Sequence, residues 1–457
     1  MGGRPGRCAT KVMRMTSDEM DRLWALLRIP SISADPDHRD DMRWAADLVS
    51  AELARAGAAV EIRTTDGHPL VLGDVPASHG DPDAPRVLIY GHYDVQPPGH
   101  LALWTSPPFE PTVREGNLYA RGASDDKGNL FMLIAAVQRL AREGNLPVRI
   151  GFVVDGEEES HGVSAERYLS SPEAAGALAC IVYDSPMIAP ERPALCSGLR
   201  GMVPRRIRVR TADGDGHSGM YGGAALNATH SLMAILAAVT PRDGRLPDAL
   251  YEGVIPVSQA ERDIWPTLPP GERVLTEAGL RPADPAAAAQ FYQRTLAGPS
   301  LDVHSLRCAN PDTFATIVPG EAEATLSLRV APGQDPQRMG EILDGLLRAA
   351  CPAGAELEIT ALGAALPAAL DPSDPVLQAA RRGIARATGW PVAPVRTGGT
   401  IPVIAALVAA GIPTILTGFG LQSDRIHSPD EHLAVSSLET GTRAAMAIIE
   451  ELGRLAP

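Results

Sequence analysis

Apolar residues in the first 184 positions alternate between short continuous blocks and longer stretches with helical spacing. The blocks at 87–90 and 150–154 are almost entirely apolar, which is typical of strands covered on both faces. Between them, the spacing over 126–142 predicts a helix. Other strands are predicted at 60–63 and 181–183. This alternation predicts an α/β domain with a mixed central sheet flanked by helices.

A different pattern begins after residue 201. Charged and apolar residues alternate over 205–210, which predicts a strand with one wet face. Further elements follow in the order helix, strand, helix, strand, at 225–239, 324–330, 335–349 and 356–360. The order approximates a ferredoxin-like β-α-β-β-α-β unit, with a long stretch punctuated by Pro and Gly at 241–311. The helix and strand pattern of the first region then resumes and ends in a helix over 436–452.

These patterns predict a discontinuous catalytic domain, formed by residues 16–202 and 369–457. A smaller α+β domain, residues 203–368, is inserted in it. Residues 1–15 are predicted to be a disordered tail, because Thr16 and Glu19 form a capping box ahead of the first apolar helix. The length of 457 residues allows about three compact units.

Composition excludes several classes of function. Apolar residues make up 45% of the chain and charged residues 21%, without a run of 18 apolar residues, so we expect a soluble protein with no membrane partner. The formal net charge of −14 and the absence of a basic run argue against nucleic acid as a partner. The five cysteines have no CxxC spacing, which argues against a disulfide framework and a thiolate zinc site and indicates the reducing cytoplasm.

The first candidate for chemistry is a His-x-Asp pair at the end of the buried strand that begins at 87. In an extended chain the side chains of His92 and Asp94 lie on the same side. Asp94 can therefore orient His92 or bind the same ligand. Crevices of open α/β sheets lie at these strand ends. The alternative is a loop histidine held by ordinary hydrogen bonds.

Other polar clusters follow further strands that we assign to the same sheet. Asp125 and Asp126 open a helix, where one acid alone would serve as a cap. Three consecutive acids at 157–159 form either a solvated turn or a cation site. Asp184 follows a fourth strand, and His427 lies after a fifth. A single binding site at one edge of the sheet explains all five polar clusters, whereas purely structural roles would need a separate explanation for each cluster.

Histidine and carboxylate ligands without thiolates suit zinc, manganese or cobalt. Two such ions about 3.5–4 Å apart, bridged by a carboxylate and a water, would lower the pKa of that water towards about 7. One further carboxylate must then stay free to move the proton.

Six motifs together resemble one family, the metallopeptidases that include carnosinases, cytosolic nonspecific dipeptidases, aminoacylases and related deacylases. The resemblance extends over nearly the whole chain from about residue 16. The amino-acid sequence of the first motif favours the dipeptidase branch. The motifs are Gly-His-Tyr-Asp-Val-Gln-Pro at 91–97, Tyr-Ala-Arg-Gly-Ala-Ser-Asp-Asp-Lys-Gly at 119–128, Gly-Glu-Glu-Glu-Ser at 156–160, Gly-Leu-Arg-Gly at 198–201, His-Ser-Gly-Met-Tyr-Gly-Gly at 217–223 and Arg-Ile-His-Ser-Pro at 425–429.

The resemblance implies a set of metal ligands and two catalytic carboxylates. Asp125 would bridge the ions through a cis Asp125–Asp126 peptide, Asp94 would orient a ligand, and Glu158 would be the general base. The family pattern has two acids where this chain has three, so the division of roles among Glu157, Glu158 and Glu159 stays open. The implied ligands are His92, Asp125, Glu159, Asp184 and His427.

Four residues are implied to bind substrate. The resemblance implies that the inserted domain, residues 203–368, is a dimerisation or lid domain. From it, His217 in a glycine-rich loop would reach the partner subunit's active site and polarise the scissile carbonyl. Thr316 and Arg329 match positions that hold the substrate's C-terminal carboxylate, and Thr400 lies in a loop suited to the same anion. The alternatives are a glycine-rich turn for His217 and a solvated strand arginine for Arg329. Gly216 and Gln422 depart from the family pattern, which affects the expected specificity more than the chemistry.

The predicted function is hydrolysis of dipeptides that carry a free C-terminal carboxylate, by metal-bound hydroxide with Glu158 as the base. The predicted enzyme is a cytoplasmic homodimer with two divalent ions per subunit, zinc first, with manganese or cobalt as alternatives. An N-acyl or N-carbamoyl amino acid amidohydrolase with the same two-metal site is the second hypothesis. A relative that only binds ligands or forms a dimer scaffold, without catalysis, is the third.

Overall fold

The central sheet of the protein is formed by distant parts of the chain. The structure is a computed structural model, and it describes residues 15–81, 83–160, 162–308 and 315–455. Cys8, most of the predicted tail and the end of the stretch predicted at 241–311 lie outside the described residues. Strands are numbered β1 to β18 in chain order: Ala59–Arg63, Leu70–Val75, Arg86–His92, Thr112–Arg114, Asn117–Tyr119, Arg149–Asp155, Ala179–Tyr183, Ala194–Leu199, Gly201–Arg210, Gly216–His217, Ser300–Arg307, Ile317–Val318, Glu321–Val330, Glu356–Ala361, Ala368–Ala369, Ala393–Thr397, Thr414–Thr417 and His432–Ala434.

The α-helices of the described residues are numbered in the same way, α1 to α12. They are Ser17–Leu27, Arg39–Arg55, Lys127–Arg142, Ser164–Leu169, Ser218–Tyr221, Ala228–Ala237, Gln259–Ile264, Gly271–Glu277, Pro336–Ala349, Pro375–Thr388, Pro402–Ala409 and Val435–Gly453.

The chain divides into two compact units. The first contains the described residues of Met1–Leu195, Pro372–Ala393 and Ala410–Pro457, and the second contains those of Cys196–Asp371 and Pro394–Ala409. Residues 394–409 therefore group with the second unit, whereas the sequence analysis placed them in the catalytic domain. The assignment of catalysis to one domain and dimerisation to the other stays a prediction.

The first unit has a six-stranded sheet in the order β1-β2-β6-β3-β7-β17. Strands β6, β3, β7 and β17 are parallel, while β1 and β2 are antiparallel to their neighbours. Strands β3, β6 and β7 are buried almost throughout, as expected when helices cover both faces. Helix α12 packs against both α3 and α10 beside the sheet. The predicted mixed central sheet with flanking helices is confirmed.

Helix α1 begins where the sequence predicts. The Thr16 hydroxyl accepts a hydrogen bond from the Glu19 amide at 3.1 Å, and the Glu19 carboxylate accepts one from the Thr16 amide at 2.8 Å. Glu19 also forms a buried ion pair with Arg139 of α3, which in turn binds Glu439 of α12. This network joins three helices of the first unit.

The second unit has an antiparallel sheet in the order β11-β13-β9-β14, the strand order of a ferredoxin-like fold. Alternate residues of β9 are buried, and helices α6 and α9 pack over this apolar side. The exposed side carries cross-strand charge pairs such as Arg208 with Glu321, 2.6 Å apart. The predicted α+β arrangement is confirmed.

Several details differ from the prediction. The strand before Asp125 is β5, which belongs to a small sheet with β4 and β18 and not to the central sheet. It is only three residues long, and its partners lie outside the central sheet. Strand β11 was not predicted, although it completes the second unit's sheet. Helix α6 begins at Ala228, because the Asn227 side chain caps it by accepting hydrogen bonds from two backbone amides.

No helix among the described residues is both long and apolar enough to cross a membrane.

Candidate metal centre

The parallel strands of the first unit place the predicted ligands at one edge of the sheet. His92 is the last residue of β3, Asp184 directly follows β7, and Glu159 lies in a short turn after β6. His427 lies in the loop between β17 and β18, and Asp125 lies just before α3. Carboxyl ends of parallel strands are the usual position of binding crevices in open α/β sheets.

The structure brings the five predicted ligands together in two groups that share Asp125. One group contains His92, Asp125 and Asp184, and the other contains Asp125, Glu159 and His427, with the ligand atoms of each group within 4.8 Å of one another. Oδ1 of Asp125 is 3.2 Å from Nε2 of His92, and its Oδ2 is 2.9 Å from Nε2 of His427. One carboxylate with an oxygen towards each group has the arrangement of a bridging ligand.

His92 is fully buried and is held from behind by Asp94. Its Nδ1 lies 3.2 Å from the Asp94 carbonyl oxygen and 3.4 Å from Oδ1 of the same residue. The other carboxylate oxygen of Asp94 accepts hydrogen bonds from the Ser33 hydroxyl at 2.6 Å and the Glu159 amide at 3.0 Å. Such an acceptor behind the second nitrogen orients a metal-binding imidazole. Asp94 therefore lies where an orienting group is expected.

His427 has a different environment. Its side chain is 52% exposed, and its φ of 58° lies in the left-handed region that is uncommon for residues other than glycine. Hydrogen bonds to Asp125 and Glu159 raise the pKa of His427 to about 10. The position of this imidazole therefore depends on its loop and on the two carboxylates.

Negative charge is concentrated at this edge of the sheet. Burial, together with the charges of Asp125 and Glu158, raises the pKa of Asp184 well above its usual range. Burial acts in the same direction on Asp125, but the two histidine rings close to its oxygens, those of His427 and His92, outweigh it and hold the pKa of Asp125 below its usual range. A bound cation would relieve the repulsion between these carboxylates.

Two of the three consecutive carboxylates of the turn after β6, Glu157 and Glu159, have separate partners. Glu157 accepts a hydrogen bond from the His68 amide at 2.9 Å, and its carboxylate lies so close to Gly67 that a Cβ there would be 1.5 Å from Oε1. Glu159 belongs to the ligand group with His427, and its Oε2 accepts a hydrogen bond from the Gln96 amide group at 2.8 Å. Glu157 is thus held outside the ligand groups.

Glu158 lies between these two and belongs to neither ligand group. Burial raises its pKa to about 7; the charge of His92 opposes this change, and those of Glu159 and Asp125 add to it. A carboxylate in such surroundings can take up and release a proton near neutral pH. Its position agrees with the role of general base, which stays a prediction.

The residues present fit divalent metal ions. Among the described residues, the buried polar atoms without a hydrogen bond include Nε2 of His92, Oδ1 of Asp94, Oδ1 of Asp126 and Oε1 of Glu159. Buried polar atoms are normally paired, so unpaired ones call for a partner such as an ion. Imidazole and carboxylate donors without thiolates suit zinc, manganese or cobalt.

The peptide bond between Asp125 and Asp126 is cis, as the resemblance implies. The Asp126 carboxylate accepts a hydrogen bond from the His92 amide at 3.1 Å. The Asp125 loop is therefore connected to the end of β3.

Two predicted substrate residues lie close together in the second unit. His217 ends β10, which pairs with β12, and the Ser218 amide donates a hydrogen bond to the carbonyl oxygen of Thr316 at 2.9 Å. The side chains of His217 and Thr316 are exposed, and Nδ1 of His217 accepts a hydrogen bond from the Gly219 amide at 3.1 Å. The other ring nitrogen takes no part in this contact.

The other two predicted substrate residues are in direct contact. Arg329 donates a hydrogen bond to the Thr400 hydroxyl at 2.9 Å, and that hydroxyl donates to the Arg200 carbonyl oxygen at 2.6 Å. Burial and the charge of Arg329 lower the pKa of Arg200 to about 10. Two partly buried arginines that repel each other would be stabilised by a bound anion.

Sequence reasoning assigned no role to Arg121 and Glu431, which form a fully buried ion pair beside the Asp125 loop. Both residues lie in or next to the recognised motifs. Their pairing spans 310 positions of the chain, so no local spacing indicates it.

The chain is similar to known proteins over most of its length. The sequence profile of peptidase family M20/M25/M40 matches residues 88–451. The cysteinylglycine-S-conjugate dipeptidase of Corynebacterium striatum is 31% identical over 413 residues, which cover 88% of this chain and 89% of that protein. The human Beta-Ala-His dipeptidase is 26% identical over 455 residues, which cover 94% of this chain and 89% of that protein.

Solved structures are similar over nearly the whole chain. An M20 family metallo-carboxypeptidase from Sulfolobus solfataricus has a TM-score of 0.85 at 24% identity, covering 96% of this chain and 100% of that one. Human carnosine dipeptidase 1 has a TM-score of 0.78 at 24% identity, covering 96% of both chains. At these identities the likeness concerns the fold alone. With the profile match and the bacterial relative, it confirms the resemblance read from the motifs: the chain belongs to peptidase family M20/M25/M40.

Proposed function

We propose that the protein is a metal-dependent dipeptidase that cleaves dipeptides with a free C-terminal carboxylate. One observation carries this proposal: Asp125 is shared by two ligand groups, each with its own histidine. Relatives named as dipeptidases, with the bacterial one aligned over 88% of the chain, support the choice of substrate class.

Two divalent ions per subunit would be held by the two ligand groups, with Asp125 between them. Zinc is proposed as the native metal, with manganese and cobalt as alternatives, because the ligands are imidazoles and carboxylates. Such ions supply the Lewis acidity that peptide hydrolysis at neutral pH requires. Asp94 holds the ring of the ligand His92 in position.

Glu158 is the proposed proton carrier. It takes a proton from the attacking water and passes it to the leaving amine, the two steps of general base and general acid catalysis. A carboxylate that binds no metal is free for this task, and Glu158 lies outside both ligand groups. Its raised pKa suits proton exchange near neutral pH.

Arg329, Thr400 and Thr316 are proposed to bind the carboxylate end of the substrate, since a guanidinium and hydroxyls suit that anion. His217 would stabilise the developing oxyanion of the scissile carbonyl from the partner subunit of a homodimer. We place this enzyme in the cytoplasm, in agreement with the cysteine pattern.

Removal of metal is expected to abolish hydrolysis of a dipeptide panel, and zinc, manganese or cobalt should restore it. The measurement is amine release after exhaustive dialysis against a chelator, with metal content verified by elemental analysis. N-acyl and N-carbamoyl amino acids belong in the same panel. Full activity without metal would contradict the proposal, and cleavage of N-acyl or N-carbamoyl substrates alone would favour the amidohydrolase hypothesis.

Replacing Arg329 by Ala is expected to weaken kcat/KM for dipeptides by at least about tenfold more than for their C-terminal amides. The reason is that only a free carboxylate has two oxygens for the guanidinium. Arg208→Ala is the matched control, because it removes an arginine from the exposed side of the same sheet. Equal losses on acids and amides would show that Arg329 has only a structural role.

A further inference from the structure

We infer that Glu431 is a positioning residue that fixes the loop carrying Asp125 and the loop carrying His427 in position relative to each other. The inference rests on the proposed metal centre, and it concerns a residue outside both ligand groups. Glu431 contacts no predicted ligand side chain in these groups. Its effect on the metals would be transmitted through the backbone.

The Glu431 carboxylate is completely buried and accepts four hydrogen bonds from one loop. Its Oε1 accepts from the backbone amides of Ser124 at 3.0 Å and Asp125 at 3.1 Å. Its Oε2 accepts from the Gly122 amide at 3.1 Å and from the Arg121 guanidinium at 2.5 Å. Both oxygens are therefore used to fix the backbone immediately before the shared ligand.

The same ion pair also reaches the histidine loop. The Arg121 guanidinium donates to the carbonyl oxygen of Ser428, the residue next to His427, at 3.4 Å. On the other side of His427, the Asp424 carboxylate accepts a hydrogen bond from the Ser124 hydroxyl at 3.2 Å. The histidine loop is thus tied to the Asp125 loop both before and after His427.

His427 depends on these anchors more than the buried ligand His92 does. Half of the His427 side chain is exposed, so packing around the ring is sparse. His92, by contrast, is fixed by Asp94 at the end of a buried strand. Loss of Glu431 should therefore disturb the group with His427 and Glu159 more than the group with His92 and Asp184.

Replacing Glu431 by Gln tests this inference. The glutamine oxygen can still accept from two backbone amides, but its NH₂ group then faces the remaining donors, Gly122 N–H and Arg121. We expect the affinity for one of the two metal ions to fall by about ten- to a hundredfold, as is typical when a group behind the ligands is changed. The affinities are measured by competition with a chelating indicator on the full-length protein.

The cobalt-substituted protein provides a readout that simple destabilisation would not change. The visible absorption of bound Co²⁺ depends on its coordination, so Glu431→Gln should alter the spectrum of one ion and leave that of the other nearly unchanged. Glu19→Gln is the matched control, because Glu19 also forms a buried ion pair with an arginine but belongs to the helix network of Arg139. It should lower thermal stability without changing metal affinity or the cobalt spectrum.

Wild-type metal affinity and an unchanged cobalt spectrum in Glu431→Gln would overturn the inference while leaving the proposed function intact. If wild-type protein bound no metal, the proposed function would fail, and this inference with it. Should Glu431→Gln not fold, Glu431→Asp decides the question, since it keeps the charge beside Arg121 but shortens the reach to the backbone amides. Wild-type affinity in that variant would also contradict the inference.

Discussion

Replacing Glu158 by Gln is expected to lower kcat by at least about a hundredfold while the metal content stays at the wild-type level. The amide has nearly the shape of the carboxylate but cannot take up a proton. Glu158 belongs to neither ligand group, so its neutral replacement should leave the ions in place. Activity on a good dipeptide and elemental analysis of the same preparation measure both effects.

The neighbouring acids provide matched controls for this prediction. Glu157→Gln should retain nearly full kcat, because Glu157 is bound to the His68 amide. Glu159→Gln should lose affinity for metal, because Glu159 belongs to the group with His427. If Glu158→Gln lost a metal ion and Glu159→Gln kept both, the assignment of base and ligand within the triplet would be shifted by one residue.

Much of the fold could be predicted because its signals are local. Strands β3, β6 and β7 are continuously apolar in the sequence, and the structure buries them as predicted. Strand β9 alternates charged and apolar residues and has one exposed side. Strand β2 escaped prediction, because Gly73 and the exposed Asp74 interrupt its apolar run. Its burial is decided by pairing with β1 and β6.

The ligand residues could be recognised because one sequence alone shows the residue types and the order of the motifs. The contacts between the motifs could not be predicted from the sequence. The two oxygens of Asp125 approach different histidines, His92 and His427, which lie far apart in the chain. The partners of Glu157 and of Glu431 likewise come from distant segments. Only the folded chain shows which of several adjacent carboxylates meets which partner.

The homodimer and the role of His217 in the partner's active site are proposals that rest on the family resemblance. His217 is exposed within its own unit, so it is accessible to another chain. The residues that follow it expose large apolar side chains, a composition favoured at subunit interfaces. These are Met220, Tyr221, Leu226 and Met233.

Hybrid dimers are expected to recover activity that neither parent has. If His217 acts in the partner's site, homodimers of His217→Ala and of Glu158→Gln should both be nearly inactive. After subunit exchange at equal concentration, about half of the dimers would be mixed, and each would contain one site with both residues intact. Activity should then rise to about a quarter of the wild-type value. Different affinity tags on the two variants allow the mixed dimers to be purified and counted.

A second pair of variants tests whether mixing any two inactive variants restores activity, or only a pair in which one residue acts in trans. Glu158 and His92 both belong to the first unit, so each active site would take both of them from one chain. Mixed dimers of Glu158→Gln and His92→Ala should therefore remain inactive, whichever subunit supplies His217. Verified mixed dimers of the first pair without regained activity would refute the role of His217 in trans, because every site would then lack a residue from its own chain. The two ligand groups around Asp125 do not depend on that outcome, since all their members belong to the first unit.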